Sequence, residues 1–308
     1  MNLSDLEKKA LNDSLAIQTK YEKKIALALN ASLDEMRKEM SKLYDKWATN
    51  GILSKADMTR YGRLASIEKS VMEALGPALK SSVKDIQRLL PEQYNESFFH
   101  HAWAIDQYSG VNLNWGVINN AAIAKSFSIT NPENIEFATS LKNYSITARK
   151  YIQSAILKNL TLGKSLQSMI GDLKKAINKT NWEALRILRT EAMTAMNAGS
   201  NDAYLRARER GIEGHEEWLA TKDIRTRDSH RKMDGKRKDK EGYYHVGRER
   251  ALYPCDENLS AGERINCRCT QIFIVDGFSP EIIRTRDQGI IPYTTYNDWI
   301  KSNGPIEH

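Results

Sequence analysis

Apolar residues recur mostly three or four positions apart from the start of the chain: Leu3, Leu6, Ala10, Leu11, Leu15, Tyr21, Ile25, Leu29, Leu33, Met36, Met40, Leu43 and Trp47. That spacing lines one side of an α-helix, so one long amphipathic helix is predicted, ended by Asn50-Gly51. At 1.5 Å per residue it would run roughly 65 Å, a length that suits an arm or a coiled-coil contact. An ordinary bundle whose first helix breaks near Asn30 and Ser32, both weak helix formers, is the equal alternative. Ser54 is placed to cap a second helix with Met58, Tyr61, Leu64, Ile67, Val71 and Leu75 on one face, and Gly76-Pro77 should end it. Further helical segments are expected at 78–90, 92–108, 117–128, 143–160 and 165–178, punctuated by Pro91, Ser109-Gly110, Asn131-Pro132 and Gly163.

A last long helix is predicted over 181–210. Its stripe of Trp182, Leu185, Leu188, Ala192, Ala195, Gly199 and Ala203 starts bulky and becomes small, so another backbone can come close at its C-terminal end. Beyond Gly211 the character changes. His215–Thr221, Tyr243–Val246 and Cys269–Val275 are short and β-rich, separated by turn formers such as Asp234-Gly235 and Glu241-Gly242. The expected fold class is α+β: an α-helical region over 1–178, a small α+β domain with a short antiparallel sheet over 181–276, and an extension over 277–308.

Composition narrows the setting. The 308 residues are 41% hydrophobic and 28% charged, as in ordinary soluble globular proteins. Three cysteines cannot build a disulfide framework, and the opening segment lacks the basic-then-apolar profile of a secretion signal, so a reducing cytoplasm is expected. Mean hydropathy is −0.58, and no stretch approaches the roughly 20 apolar residues that cross a bilayer, so no membrane role is expected. The net charge of +7 is modest, but Lys222–Lys240 holds nine Lys or Arg against four Asp. Arg231, Lys232, Lys236, Arg237, Lys238 and Lys240 are therefore candidate contacts to the phosphates of double-stranded DNA. The plainer alternative is a solvated loop, because no aromatics are interleaved with the charges.

The densest chemistry lies in the same region. His230, Cys255, Cys267 and Cys269 are enough soft and borderline ligands for one tetrahedral Zn²⁺, which would be a closed, structural site. Two cysteines one residue apart on a regular strand hold their sulfurs too far apart, so the backbone would have to turn. The alternative is three reduced, packed cysteines with His230 bonded to a carbonyl. Asp223, Asp228 and His230 could instead form a hard-ligand or acid–base cluster of a metal-dependent nuclease or toxin domain. Arg225 and Arg227 more simply pair with neighbouring carboxylates and carbonyls. Arg189 and Glu191 resemble the Arg–Glu pair of a nucleotide-using transferase, but positions i and i+2 of a helix do not face each other. No P-loop, GxGxxG, HExxH or GxSxG pattern is present.

Taken in order, these residues resemble the Mu F-like head morphogenesis family of tailed bacteriophages, also called minor head or minor capsid proteins. The resemblance rests on Arg189-Thr190-Glu191, Asn197 and Gly199 on a helix, then Trp218. It continues through Asp223, Arg225, Thr226, Arg227, His230 and Asp234-Gly235 to Pro254 and the Asn266-Cys267-Arg268-Cys269 strand. It covers roughly 181–276, and the tail from Arg284 to Trp299 is similar to the C-terminal extension of some minor head proteins. The resemblance implies a non-catalytic virion component with these motif residues in structural roles. Its partners would be the portal and also scaffolding and major capsid proteins. It would be present in the host cytoplasm during assembly and afterwards inside the head, assisting assembly, DNA packaging or ejection. The alternatives are the nuclease or toxin domain and a non-catalytic DNA-binding head protein.

Overall fold

The computed structural model describes residues 3–109 and 135–275, the strand backbones at 282–285 and 289–292, and isolated positions 113, 115, 123 and 127. The named helices are α1 (Leu3–Trp47), α2 (Lys55–Arg60), α3 (Leu64–Ser109), α4 (Ile135–Thr161), α5 (Leu166–Glu209), α6 (Asp228–Arg231) and α7 (Ala261–Arg264). The strands are β1 (Gly214–Leu219), β2 (Tyr244–Val246), β3 (Glu249–Ala251), β4 (Thr270–Val275), β5 (Ile282–Thr285) and β6 (Gly289–Pro292). The fold is thus mainly helical with a small α+β portion near the C-terminus. The helix expected at 117–128 lies outside the described residues apart from Ile123 and Phe127.

Helix α1 is one piece, without a break at Asn30. Ser32 turns its hydroxyl onto the Leu29 carbonyl at 2.8 Å, so its preference for local bonding is met inside the helix. Two expected helix ends need correction, because α3 runs unbroken through Gly76-Pro77 and through Pro91. A proline inside a helix costs about 3 kcal/mol. Around these prolines Leu75, Ala78, Leu79, Leu89 and Leu90 are all buried, and each large apolar side chain withdrawn from water contributes about 1.5–3 kcal/mol. Burial therefore outweighs the missing hydrogen bonds. The segments expected at 165–178 and 181–210 likewise join into α5, where buried Thr180 bonds the Ala176 carbonyl at 2.9 Å.

The chain forms two compact units that do not follow chain order. One comprises Thr19–Arg88 and Lys125–Leu188 and is helical. Its core takes Ile25, Leu29, Met36 and Met40 from α1, Ile67 and Val71 from α3, Ile152 and Ile156 from α4, and Met169 and Leu173 from α5. The turns are tied as well: Tyr44 donates to the Lys164 carbonyl at 2.9 Å, and Ile52 bridges to both Thr49 and Ser165.

The other unit comprises Met1–Gln18, Leu89–Ala124 and Arg189–His308. Here β1 and β4 pair antiparallel from Gly214↔Val275 to Leu219↔Thr270. Tyr204 of α5 stacks on Phe273 of β4, with ring centroids 5.3 Å apart, so α5 backs one face of this ribbon. Leu219, Ile272 and Ile274 form a separate buried cluster. The β2–β3 hairpin and the β5–β6 pair are further two-stranded sheets, and the sequence pattern did not reveal β3, β5 or β6.

The small end of the α5 stripe does admit a neighbouring backbone. A Cβ on Gly199 would collide with the Tyr94 carbonyl oxygen and press on the Phe98 nitrogen and Ser97 Cβ at 3.2 Å. The bulky start behaves otherwise, since Trp182 is exposed. Gly199→Ala is therefore expected to cost about 1–3 kcal/mol through forced separation of α3 and α5. Gly171→Ala, on the same helix with open space around it, should be neutral or stabilise by up to about 1 kcal/mol. Denaturant melts of the two variants check the contrast.

Candidate functional site

From Thr190 to Asn197 every residue of α5 is buried, a run that includes Thr190, Glu191, Thr194 and Asn197. Polar side chains enclosed on all sides must find partners, or each costs several kcal/mol. They find them on the loops around β4. Thr194 donates to the Cys255 carbonyl at 2.8 Å, Asn197 to the Cys269 carbonyl at 3.1 Å, and the Thr190 hydroxyl accepts from the Asn266 N–H at 3.1 Å. Glu191 meets Arg264 in a buried ion pair at 2.6 Å. Burial works against the Arg264 charge, and the Glu191 carboxylate overcomes it, raising the guanidinium above its ordinary value.

The segment after β1 is anchored in the same manner. Asp223 closes a turn by accepting from the Arg225 N–H at 2.9 Å and the Thr226 hydroxyl at 3.2 Å, and it takes a two-pronged bond from Arg268. Burial pushes the Asp223 carboxyl up, but these donors outweigh it and hold it below its ordinary value. Arg227 donates to the Glu263 carbonyl at 3.2 Å and to the Ile265 carbonyl. Arg225 and Arg189 are exposed. Asp234 accepts from the Ala220 N–H at 3.0 Å and pairs with buried Lys222. Gly235, at φ +71°, turns the chain so that its N–H reaches the Trp218 carbonyl at 2.8 Å.

Cys267 and Cys269 lie on the turn leading into β4 rather than on the strand itself. Asn266 takes a left-handed φ of +57°, and the resulting bend brings both sulfurs to one side. His230 Nδ1 of α6 lies 3.6 Å from Cys267 Sγ and 3.4 Å from Cys269 Sγ, and all three residues are buried. The ring's other edge faces Glu263, with Nε2 2.9 Å from the carboxylate, and Trp218 packs edge-on against it at 5.5 Å. Cys255, buried at φ +68°, points its thiol at the Arg264 carbonyl, 3.4 Å away. It also raises the neighbouring Cys267 thiol above its ordinary value, while burial does the same for Cys269. The three-residue set His230, Cys267 and Cys269 could hold a metal ion, and so could the half-buried set Asp13, Glu96 and His100. Asp223 and Asp228 are not brought to His230, because Asp223 serves Arg268 and Asp228 serves Arg231 at 2.9 Å.

The basic run divides. Lys238 turns inward, its ammonium 2.6 Å from Asn201 and 3.5 Å from Glu216, and burial lowers its affinity for a proton despite the Glu216 charge. Arg237 pairs with Glu217 at 2.9 Å and Arg231 with Asp228, whereas Lys232, Lys236 and Lys240 are exposed. Lys238 thus corrects the expectation of six outward cations: Asn201 and Glu216 offer it fixed partners inside the unit. Lys222, Thr194, Thr221, Glu263 and Arg264 were not singled out by the sequence, since their roles depend on contacts between segments far apart in the chain.

Residues 150–272 match the family model described as Phage Mu protein F like protein. In that stretch the chain is similar to the Mu F-like family. The match begins within α4, upstream of the motif-bearing part of α5, and reaches Ile272 on β4. The chain is 26% identical to minor head protein GP7 of Bacillus phage SPP1, over 92% of this chain and 93% of that protein. It is also 23% identical to the NAD(+)–arginine ADP-ribosyltransferase EFV of Enterococcus faecalis, over 87% of this chain but only 54% of that protein. No solved structure matches. No helix among the described residues is long and apolar enough to cross a membrane.

The depressed Asp223 carboxyl links the stability of the Mu F-like portion to pH. The folded state favours the charged form, so its contribution is complete above the ordinary carboxylate value and fades as pH falls through the lower folded value. Asp223→Asn should therefore destabilise the protein at neutral pH and flatten the acid limb of a stability–pH curve. Urea melts between neutral and acidic pH would show it.

Proposed function

We propose that this chain is a minor head protein of a tailed bacteriophage. In this reading it associates with the portal inside the procapsid, next to scaffolding and major capsid proteins, and assists head assembly, DNA packaging or DNA ejection. It would be made in the host cytoplasm and end inside the virion head. The observation that carries the reading is the nearly end-to-end alignment with the SPP1 minor head protein, covering 92% of one chain and 93% of the other. A Mu F-like segment alone would support a shared domain; an alignment that includes the helical units supports a shared overall role.

The site chemistry fits association better than turnover. Glu191 is engaged by Arg264, Asp223 by Arg268 and Asp234 by Lys222, so the buried carboxylates hold loops in place. A second reading, transfer of ADP-ribose to arginine, has one observation in its favour, the name of the Enterococcus relative. The alignment leaves nearly half of that protein unmatched, and Glu191 of the Arg189-Thr190-Glu191 segment is already paired. Metal-dependent nuclease action would need Asp223 and Asp228 freed from their arginines.

Co-expression with the portal, scaffolding and major capsid proteins of the same phage tests the proposal. The chain should sediment with proheads when the portal is present and stay behind when it is omitted; its absence from portal-containing proheads would refute the role. The purified chain should neither consume NAD⁺ with an arginine acceptor nor cut plasmid DNA with Mg²⁺ or Mn²⁺.

For contact with packaged DNA, Lys232, Lys236 and Lys240 are exposed cations of the candidate run, next to exposed Arg237 on its Glu217 partner. Changing all three to Ala should weaken double-stranded DNA binding and reduce the salt dependence of log K by up to about 0.9 per lysine that contacts a phosphate. A gel-shift series over salt measures this, and an unchanged slope would remove the run from the DNA-binding surface.

A further inference from the structure

We infer that His230, Cys267 and Cys269, completed by Cys255, bind one structural Zn²⁺ ion. The inference rests first on distances. For a tetrahedral ion with Zn–S near 2.3 Å and Zn–N near 2.0 Å, the edge between a nitrogen and a sulfur is about 3.5 Å. His230 Nδ1 lies 3.6 Å from one sulfur and 3.4 Å from the other. All three ligand atoms are within 4.8 Å of one another. Plain packing of two thiols under an imidazole does not require both sulfurs to meet the same ring nitrogen at this separation.

The surroundings supply what a zinc–thiolate site needs beyond its ligands. The Cys269 N–H points at Cys267 Sγ, 3.4 Å away. Glu263 lies 2.9 Å from His230 Nε2, the ring nitrogen left free when Nδ1 binds metal, and Ser229 holds that carboxylate at 2.7 Å. A carboxylate behind a ligating histidine fixes the ring and raises its basicity.

Cys255 is the fourth ligand because its thiol lies beside the three-residue set, 3.8 Å from the Cys267 carbonyl. With zinc present its thiol would release its proton and turn from the Arg264 carbonyl toward the ion. Four protein ligands leave no position for water, so the ion would join α6, the 255 loop and the approach to β4 without hydrolytic chemistry.

Elemental analysis of the full-length protein, purified without chelator, should find about one zinc per chain. Exchange into Co²⁺ should give the thiolate charge-transfer band in the near ultraviolet and the visible absorption of a tetrahedral ion. Chelation should lower the melting temperature, and added Zn²⁺ should restore it. Cys269→Ser should lose most of the zinc; in case that variant fails to fold, the cobalt spectrum and chelator response of the wild type decide alone. Cys255→Ser should keep the fold, bind zinc more weakly and shift the cobalt bands toward fewer thiolates; an unchanged spectrum would overturn the place of Cys255. Wild-type protein that takes up neither zinc nor cobalt, and melts identically with and without chelator, would overturn the site. Incorporation into proheads is a separate readout, so loss of the metal reading and loss of the head-protein reading remain distinguishable.

Discussion

The constraint on which the C-terminal unit depends is the satisfaction of buried loop carbonyls. A two-stranded ribbon such as β1–β4 is at best marginally stable alone, and the loops leading into it turn backbone oxygens inward, those of Cys255 and Cys269 into the buried interior and the others part-way. Side chains from other segments meet that demand: Thr194 bonds the Cys255 carbonyl, Asn197 that of Cys269, Thr221 that of Arg268 at 2.7 Å, and Arg227 those of Glu263 and Ile265. Helix α5 is the common support, since the residues making the first two bonds sit one turn apart on its enclosed stretch. Over 190–197 this helix is buried on every side, and the polar positions there are the ones that capture the loops.

The same logic accounts for the charged positions. Glu191–Arg264 and Asp223–Arg268 are drawn from segments distant in sequence, Lys222–Asp234 from positions 12 apart, and all are brought together at or beneath the surface. Buried pairs add little net stability compared with well-packed apolar residues, yet breaking one strands a charge. They therefore specify which loop lies against which helix more than they add to the total. In a unit built this way the carboxylates of Glu191, Asp223 and Asp234 are each held by a cation from another segment.

Much of this was legible in the sequence. The three-and-four spacing gave α1 at full length as one of two equal readings, Gly163 and Gly211 marked real ends, and the short β-rich pieces at 215–221, 243–246 and 269–275 became β1, β2 and β4. Gly199 announced a close approach because only a residue without a side chain fits against Tyr94 and Phe98. Local signals failed where packing overrode them: Pro77 and Pro91 lie inside α3 because the apolar residues around them are buried. Of the site, the motif residues could be named but not their pairings. Arg264 looks like any surface arginine until Glu191, 73 positions away, is placed beside it, and Lys238 reads as a DNA contact until Asn201 and Glu216 are found around it.

Native-state hydrogen exchange measures the central dependence most directly, through the amides of Thr190–Ala203 in α5 and of β1 and β4. If loop capture by α5 holds the unit together, all three sets open with one common free energy, and Asn197→Ala lowers that value equally for all of them. If the ribbon exchanges through an opening that leaves α5 protected, or if Asn197→Ala changes only its immediate neighbours, the helix does not hold the sheet and the account is wrong.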